Sequence, residues 1–202
     1  MSAPRIVLAT RNRHKLGELH RILLASGLDV ELVGADAYPD LPDVPETESS
    51  FAGNALLKAR AVAAATGLPA IADDSGLAVD ALNGMPGVLS ARWSGRHGSD
   101  RANLELLLGQ MDDVPERRRG AAFHCAAAIA LPDGTERVVE GSVEGVIIRE
   151  ARGSGGFGYD PIFVPLGGTR TLAEIPAEEK DAISHRGRAL EALAPVVADL
   201  LG

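Results

Sequence analysis

Two adjacent carboxylates, Asp73 and Asp74, end a short apolar run, Pro69-Ala-Ile-Ala72, and lead into Ser75-Gly76. Charges at the end of a buried strand are costly unless something neutralises them. Ligands of open α/β sheets bind outside the carboxyl ends of strands. Oxygen-only donors at such a place favour Mg²⁺ or a similar hard cation. Side chains alternate along a strand, so Asp73 and Asp74 should face opposite sides. One could hold a metal while the other orients a group or takes a proton. A solvated strand end is the plainer reading. A phosphatase forming an aspartyl-phosphate is a weaker match, because its Asp-x-Asp spacing is absent.

A second cluster is Thr10-Arg11-Asn12-Arg13-His14-Lys15, between an apolar run and a helical pattern. A helix N-terminus offers unpaired N–H groups and a positive dipole, which suit a phosphate. Thr10 adds a hydroxyl, Asn12 an amide and Lys15 a point charge. The glycines of a Walker loop are missing. A third cluster, Asp40, Asp43, Glu46 and Glu48, lies on a segment broken by Pro39, Pro42 and Pro45. Any of these acids could complete a metal's ligand set, and all would serve equally as a solvated acidic loop.

Gly153-Ser-Gly-Gly-Phe-Gly-Tyr-Asp-Pro161 places two of the six Phe and Tyr residues inside a glycine loop. Glycines let backbone approach a ligand closely. Phe157 and Tyr159 could flank a planar base, or simply plug a tight turn. Lys180 and Ser184-His185-Arg186 come last, with His185 and Arg186 as donors for a keto oxygen. The basic residues are 17 Arg and only 3 Lys, so Lys15, Lys58 and Lys180 stand out. An ammonium is a compact point charge, and an arginine fork does not replace it. His20, His97 and His124 lack carboxylates at metal spacing and read as structural or solvated.

The elements that must carry these residues follow from the pattern. Arg5–Ala9 reads as a buried strand. Leu16, Leu19, Ile22 and Leu23 mark one face of a helix ended by Gly27. Leu28–Val33 reads as a second strand, which makes a βαβ start. Residues 34–48 form a long loop. Ser49 or Ser50 caps an alanine-rich helix running to about Thr66, with Gly67 after it. The strand at Pro69–Ala72 enters the acidic pair, and Leu77–Leu82 continues extended to the turn at Asn83-Gly84. Ser99 or Asp100 starts a helix with Leu104, Leu107, Leu108 and Met111 on one side. Residues 121–131 and 137–143 pair as a hairpin around Asp133-Gly134. Val146–Ile148 is a further strand, 171–184 is partly helical, and 186–201 is an amphipathic helix containing Pro195.

The chain has 202 residues, 46% hydrophobic and 24% charged, which excludes wholesale disorder. This length suits one domain and a sizeable core. A net charge of −8 argues against general nucleic-acid binding. Cys125 is the only cysteine, so no intrachain disulfide or cysteine zinc cluster forms. The apolar runs are too short for a signal peptide or a membrane span. A cytoplasmic protein without membrane partners is expected.

Taken together and in order, the motifs resemble the Ham1-like inosine triphosphate pyrophosphatase family from about residue 5 to residue 200. The matching pieces are Thr10-x4-Lys15, Glu46-Thr47, Asn54-Ala55 with Lys58-Ala59, Ala72-Asp73-Asp74-Ser75-Gly76-Leu77, Gly155-Gly156-Phe157-Gly158-Tyr159-Asp160-Pro161 and Ser184-His185-Arg186-Gly187. The resemblance implies one α/β domain over residues 1–202, with a long curved mixed sheet and helices in two lobes around a central cleft. It implies Mg²⁺-dependent hydrolysis of ITP, dITP and XTP to monophosphate and pyrophosphate by a homodimer. By match, Thr10, Arg11, Asn12, Arg13, His14 and Lys15 bind phosphate. Asp74 is the acid/base carboxylate and a metal ligand, with Glu46 as the second metal carboxylate and Asp73 supporting the metal set. Lys58 and Ser75 touch substrate. Phe157, Gly158, Tyr159, Asp160, Lys180, His185 and Arg186 form the nucleoside side.

One departure stands out. The family often has Phe-x-Glu-Asn-Ala, where this chain has Phe51-Ala-Gly53-Asn54. The weight therefore falls on Glu46, with Glu48 in reserve. The expected chemistry is water attack at the α-phosphorus, with Asp74 activating the water and Mg²⁺, Lys15 and Lys58 stabilising phosphate charge. A donor to the 6-keto oxygen, from His185 or nearby backbone, would reject adenine. Two rivals are a Maf-like pyrophosphatase of other base specificity and a nucleotide-sensing module without turnover.

Overall fold

The computed structural model describes residues 3–11, 13–41 and 43–201. Six strands form one mixed sheet in the order β2-β1-β3-β4-β5-β6. They are β1 (Arg5–Leu8), β2 (Glu31–Gly34), β3 (Ala70–Val79), β4 (Gly120–Ala130), β5 (Glu136–Ile147) and β6 (Phe163–Pro165). β1 runs parallel to β2 and to β3, while β5 and β6 are antiparallel. Five helices accompany them: α1 (Arg13–Ala25), α2 (Phe51–Thr66), α3 (Asp100–Gln110), α4 (Ala177–Ile183) and α5 (His185–Leu201). This is the expected α/β class. Among the described residues no helix is long and apolar enough to cross a membrane.

The chain divides into two compact units, each drawing on separate stretches of sequence. The first comprises Met1–Asp74, Cys125–Gly141 and Arg186–Gly202; the second comprises Ser75–His124 and Ser142–His185.

In the first unit the period-2 alternation of the strands decides the layers. Ile71 on β3 and Cys125, Ala127 and Ile129 on β4 face one side, against Leu19, Ile22 and Leu23 of α1 and Leu190 and Leu193 of α5. Ala70 and Ala72 of β3 and Ala126, Ala128 and Ala130 of β4 face the other side, against Ala55, Ala59, Val62 and Ala63 of α2. The second interface is built mainly of alanine, so the helix backbone can approach the sheet closely.

α2 has the expected ends. Ser50 Oγ accepts from the Gly53 N–H at 3.1 Å, and Gly67 takes φ +68° to close the helix. An N-cap hydroxyl of this kind satisfies one of the orphan N–H groups of the first turn.

In the second unit Leu77 and Val79 of β3, Leu107 and Met111 beside α3, Phe123 of β4, Val143 and Ile147 of β5, and Phe163 of β6 form the core. Arg119, 1% exposed, lies within it. Its guanidinium donates to the carbonyls of Ile147 (2.7 Å), Met111 (2.6 Å), Val114 and Ile148 (both 3.3 Å). Burial, and to a lesser degree the Arg149 charge, pushes this guanidinium below its ordinary value. The four carbonyls tie the end of α3 to β5.

Four details differ from the sequence reading. β2 begins at Glu31, because residues 28–30 are outside the parallel register with β1. β3 runs unbroken from Ala70 through the acidic pair to Val79, and residues 80–82 then turn as one 3₁₀ coil. Val146 and Ile147 end β5 rather than forming their own strand. β6, with three residues, pairs with Gly145–Ile147.

Candidate active site

Alternation separates the acidic pair as expected, and each carboxylate finds different partners. Asp74 is 5% exposed and follows Ala70 and Ala72 onto the α2 side. Its Oδ2 accepts from Asn54 Nδ2 at 3.1 Å. Its Oδ1 lies 3.2 Å from Lys58 Nζ, and the same ammonium reaches Glu46 Oε1 at 3.1 Å. Lys58 comes from the second turn of α2 and Glu46 from the acidic loop. Burial raises the Asp74 carboxyl above its ordinary value, with Lys58 pulling it down and Glu46 pushing it up. Burial disfavours the Lys58 ammonium, but Asp74, Asp73 and Glu46 outweigh it and hold its pKa up.

Two carboxylates converging on one cation, one from the middle of β3 and one from the acidic loop, are an oxygen-only donor pair. Mg²⁺ is commonly held by one or two carboxylates plus substrate phosphate and water. Asp74 and Glu46 fit that description. No cluster of three or more His, Cys, Asp or Glu suited to a metal exists among the described residues.

Asp73 departs from its expected place in the metal set. It is turned to the opposite side, 3% exposed, and its Oδ2 takes Lys15 Nζ at 3.2 Å and Arg186 Nε at 3.1 Å. Burial would raise this carboxyl, but Lys15 and Arg186 hold it well below the usual carboxylate range. Arg186 likewise departs from the nucleoside side. Its guanidinium is 1% exposed and bonds both Asp73 and Glu18 of α1. Burial opposes its charge, but these two carboxylates raise its pKa further. Glu18 escaped sequence reasoning, since it looks like a solvated helix acid. Cys125 lies in the same layer, where burial pushes its thiol up to about 12 and makes it inert.

The expected phosphate turn joins β1 to α1. Thr10 is half-buried after β1, and Lys15 lies in the first turn of α1 beside Asp73. Arg11 is partly exposed and pairs with Asp43 and the Leu41 carbonyl. Asn12 and the side chains of Arg13 and His14 lie outside the described residues. Ser75 follows Asp74 on β3 and is half-buried.

The second unit holds the remaining candidates. The Asp160 carboxylate accepts the Phe157 N–H and Lys180 Nζ, both at 2.8 Å. Lys180, 5% exposed, also lies 5.1 Å from the Phe157 ring centroid. The Gly158 N–H donates to Asp100 at 3.0 Å, so α3 also braces the loop. Tyr159 departs from the base-flanking reading. Its ring is core, and its hydroxyl donates to the Ser90 carbonyl at 2.9 Å, where burial raises its pKa. Phe157 stays partly exposed. His185 is buried and stacks on Phe123, centroids 4.7 Å apart and planes 10° apart. Nothing in the sequence pattern links Phe123, Ser90 or Asp100 to this loop.

Gly156 is required by space. It takes φ +67°, and a Cβ there would lie 2.1 Å from Asp160 Oδ2. Gly156→Ala is expected to displace the Asp160 carboxylate and to cost about 1–3 kcal/mol from backbone strain. Urea unfolding checks this; an unchanged midpoint would refute it.

The Ham1 family model matches residues 6–196. This chain belongs to the Ham1 family. Its relatives in the family include a dITP/XTP pyrophosphatase of Streptomyces avermitilis, 65% identical over 98% of this chain and 99% of that one. Another, from Mycobacterium tuberculosis and of the same name, is 55% identical over 97% of this chain and 96% of its own. Among solved structures, a nucleoside-triphosphatase / dITP/XTP pyrophosphatase from Mycobacterium abscessus is 61% identical. It superposes with a TM-score of 0.77 over 95% of this chain and 99% of that one. A HAM1 protein from Coxiella burnetii, 42% identical, gives 0.87 over 97% and 99%. The Ham1 motifs read from the sequence thus sit on a matching fold.

Proposed function

We propose that this chain is a nucleoside-triphosphate pyrophosphatase that hydrolyses ITP, dITP and XTP to the monophosphate and pyrophosphate. The whole chain acts as one catalytic domain, in the cytoplasm and as a homodimer. The observation that carries the reading is the convergence of Asp74 and Glu46 on Lys58, in a chain whose relatives carry the name dITP/XTP pyrophosphatase. Asp74 and Glu46 would hold Mg²⁺ as the cofactor. When bound, it would supply charge stabilisation and polarise phosphate oxygens.

The chain's own residues do the rest. Asp74 orients a water for attack at the α-phosphorus and takes its proton. A carboxylate raised by burial is a better base than an exposed one. Lys58 keeps Asp74 and Glu46 from repelling each other and faces developing phosphate charge. Thr10, Arg11, Asn12, Arg13, His14 and Lys15 receive the triphosphate at the N-terminus of α1. Asp73 and Arg186 anchor Lys15 and α1 rather than touching metal or base. The substrate carries about four negative charges and the protein −8, so attraction must be local.

In the second unit Phe157 and Gly158 face the base, with Ser75 contributing on the substrate side. Lys180 and Asp160 hold the loop in shape, and Tyr159 plugs it from beneath. His185, fixed by Phe123, donates to a 6-keto oxygen, which adenine lacks. A site built to hydrogen-bond one group can reject an analogue without it by large factors.

The test is pyrophosphate release with Mg²⁺ from ITP, XTP, GTP, ATP and dUTP. Release from ITP and XTP far above ATP and dUTP is the expected result. Equal kcat/KM for ATP and ITP would overturn the base reading. Tight ITP binding without release would overturn the enzyme.

A further inference from the structure

Asn54 is 0% exposed on the packed face of α2, where a side-chain amide is costly unless both ends are matched. Both ends are matched. The Glu48 N–H donates to Asn54 Oδ1 at 3.0 Å, and Asn54 Nδ2 donates to Asp74 Oδ2 at 3.1 Å. The partners fix which way the amide points, because an N–H can only donate and an ionised carboxylate can only accept. No other side chain of this length does both. An ionised aspartate has no donor for Asp74, a serine reaches one partner at most, and glutamine is a methylene too long.

The segment held by this amide rests directly on α2. Glu48 occupies the space above Gly53, where a Cβ would lie 2.7 Å from Glu48 Cβ and 3.0 Å from its Cγ. A side chain at position 53 would therefore have to displace that of Glu48. Ser50 caps the same turn. Two residues before Glu48, Glu46 reaches Lys58, which also meets the other oxygen of Asp74, Oδ1.

We propose that Asn54 is a positioning residue that latches the acidic loop to Asp74 and thereby sets the spacing of the Glu46 and Asp74 carboxylates. It acts through Asp74 and the Glu48 backbone and not on the nucleotide. The inference rests on Asp74 being the working carboxylate. Supporting groups of this kind change activity by about 10- to 100-fold when removed.

Asn54→Ala and Asn54→Ser are compared with wild type and Asp74→Asn. For Asn54→Ala a kcat for ITP about 10- to 100-fold lower is expected, with KM changed little, because the lost bonds do not contact substrate. Cleavage of the folded protein after Glu46 or Glu48 by a glutamate-specific protease should become faster. Wild type is tested without any variant by amide exchange at Glu48. Its N–H is bonded to a side chain in a loop, and the latch requires exchange at least about tenfold slower than in an unfolded chain. An unprotected Glu48 amide overturns the proposal even if both variants fail to fold. A folded Asn54→Ala with wild-type kcat also overturns it, provided Asp74→Asn is inactive. If Asp74→Asn itself turns over normally, the catalytic reading falls while Glu48 protection still reports the latch.

Discussion

Asp74→Asn is expected to lower kcat for pyrophosphate release from ITP by about 10²–10⁴-fold, the range for losing a positioned base. KM should change far less. The folded state should survive, because burial already disfavours the Asp74 charge and the substitution removes it. The local hydrogen bonding nevertheless changes. Asn54 and Lys58 both donate to Asp74, and an amide offers only one acceptor oxygen to two donors. One donor is therefore left facing an NH₂ group. Single-turnover measurement of pyrophosphate, alongside equilibrium binding of ITP, separates lost chemistry from lost binding. Near-wild-type kcat in a folded variant would remove Asp74 from the mechanism.

Arg186→Met should have the largest effect on stability. The side chain joins α5 to Asp73 on β3 and to Glu18 on α1, and all three residues are buried. Removing one partner of a buried charged network costs about 3–5 kcal/mol, because the other charges stay buried. Lys15 remains beside Asp73 and limits the loss. The effect depends on pH. Asp73 has a depressed pKa in the folded chain. Its contribution is fully present above the unfolded value of about 3.9 and is lost as pH falls through the folded value. The gap between wild type and variant should therefore be widest near neutral pH and narrow below about pH 4. Urea unfolding at several pH values measures it. A gap under about 1 kcal/mol at pH 7 would mean that the network is worth no more than a surface pair.

Much of the first unit is legible in the amino-acid sequence. The strand entering Asp73-Asp74, the split of that pair between two faces, and the Ser50 and Gly67 ends of α2 all follow from local rules. Capping, left-handed glycine and side-chain alternation act within a few residues. The features that are not legible depend on distant chain. β6 has three residues, one of them proline, and exists because Gly145–Ile147 lies beside it. Arg119 sits in a run of three arginines with no local signal of burial, yet its guanidinium is bonded to four backbone carbonyls. Arg186 and Tyr159 are recognisable as members of motifs but not as buried supports. A motif records which residues occur together, and their burial is decided by tertiary packing. Asn54 is visible beside Lys58, but its partner Glu48 belongs to a loop whose path no periodicity describes.

Consecutive acids on β3 meet different cations, Asp74 with Lys58 and Asp73 with Lys15 and Arg186, because their side chains leave the strand in opposite directions. That makes strand alignment the determinant of which carboxylate meets Lys58. β3 is aligned with β1 through Val7 opposite Ala70 and Leu8 opposite Ile71. A slip of one residue would invert every side chain of the strand. Shifted forward by one place, Asp73 would arrive among Asn54, Lys58 and Glu46, Asp74 would take the place of Ser75, and Ala72 would stand where Lys15 and Arg186 now meet a carboxylate. Lys15 and Arg186 would lose the buried carboxylate between them. The apolar residues forbid it: Ile71 would be driven against α2, into a layer cut to the size of alanine. The small side chains of Ala55, Ala59 and Ala63 thus act as a gauge that keeps Asp74, and not Asp73, on the α2 side.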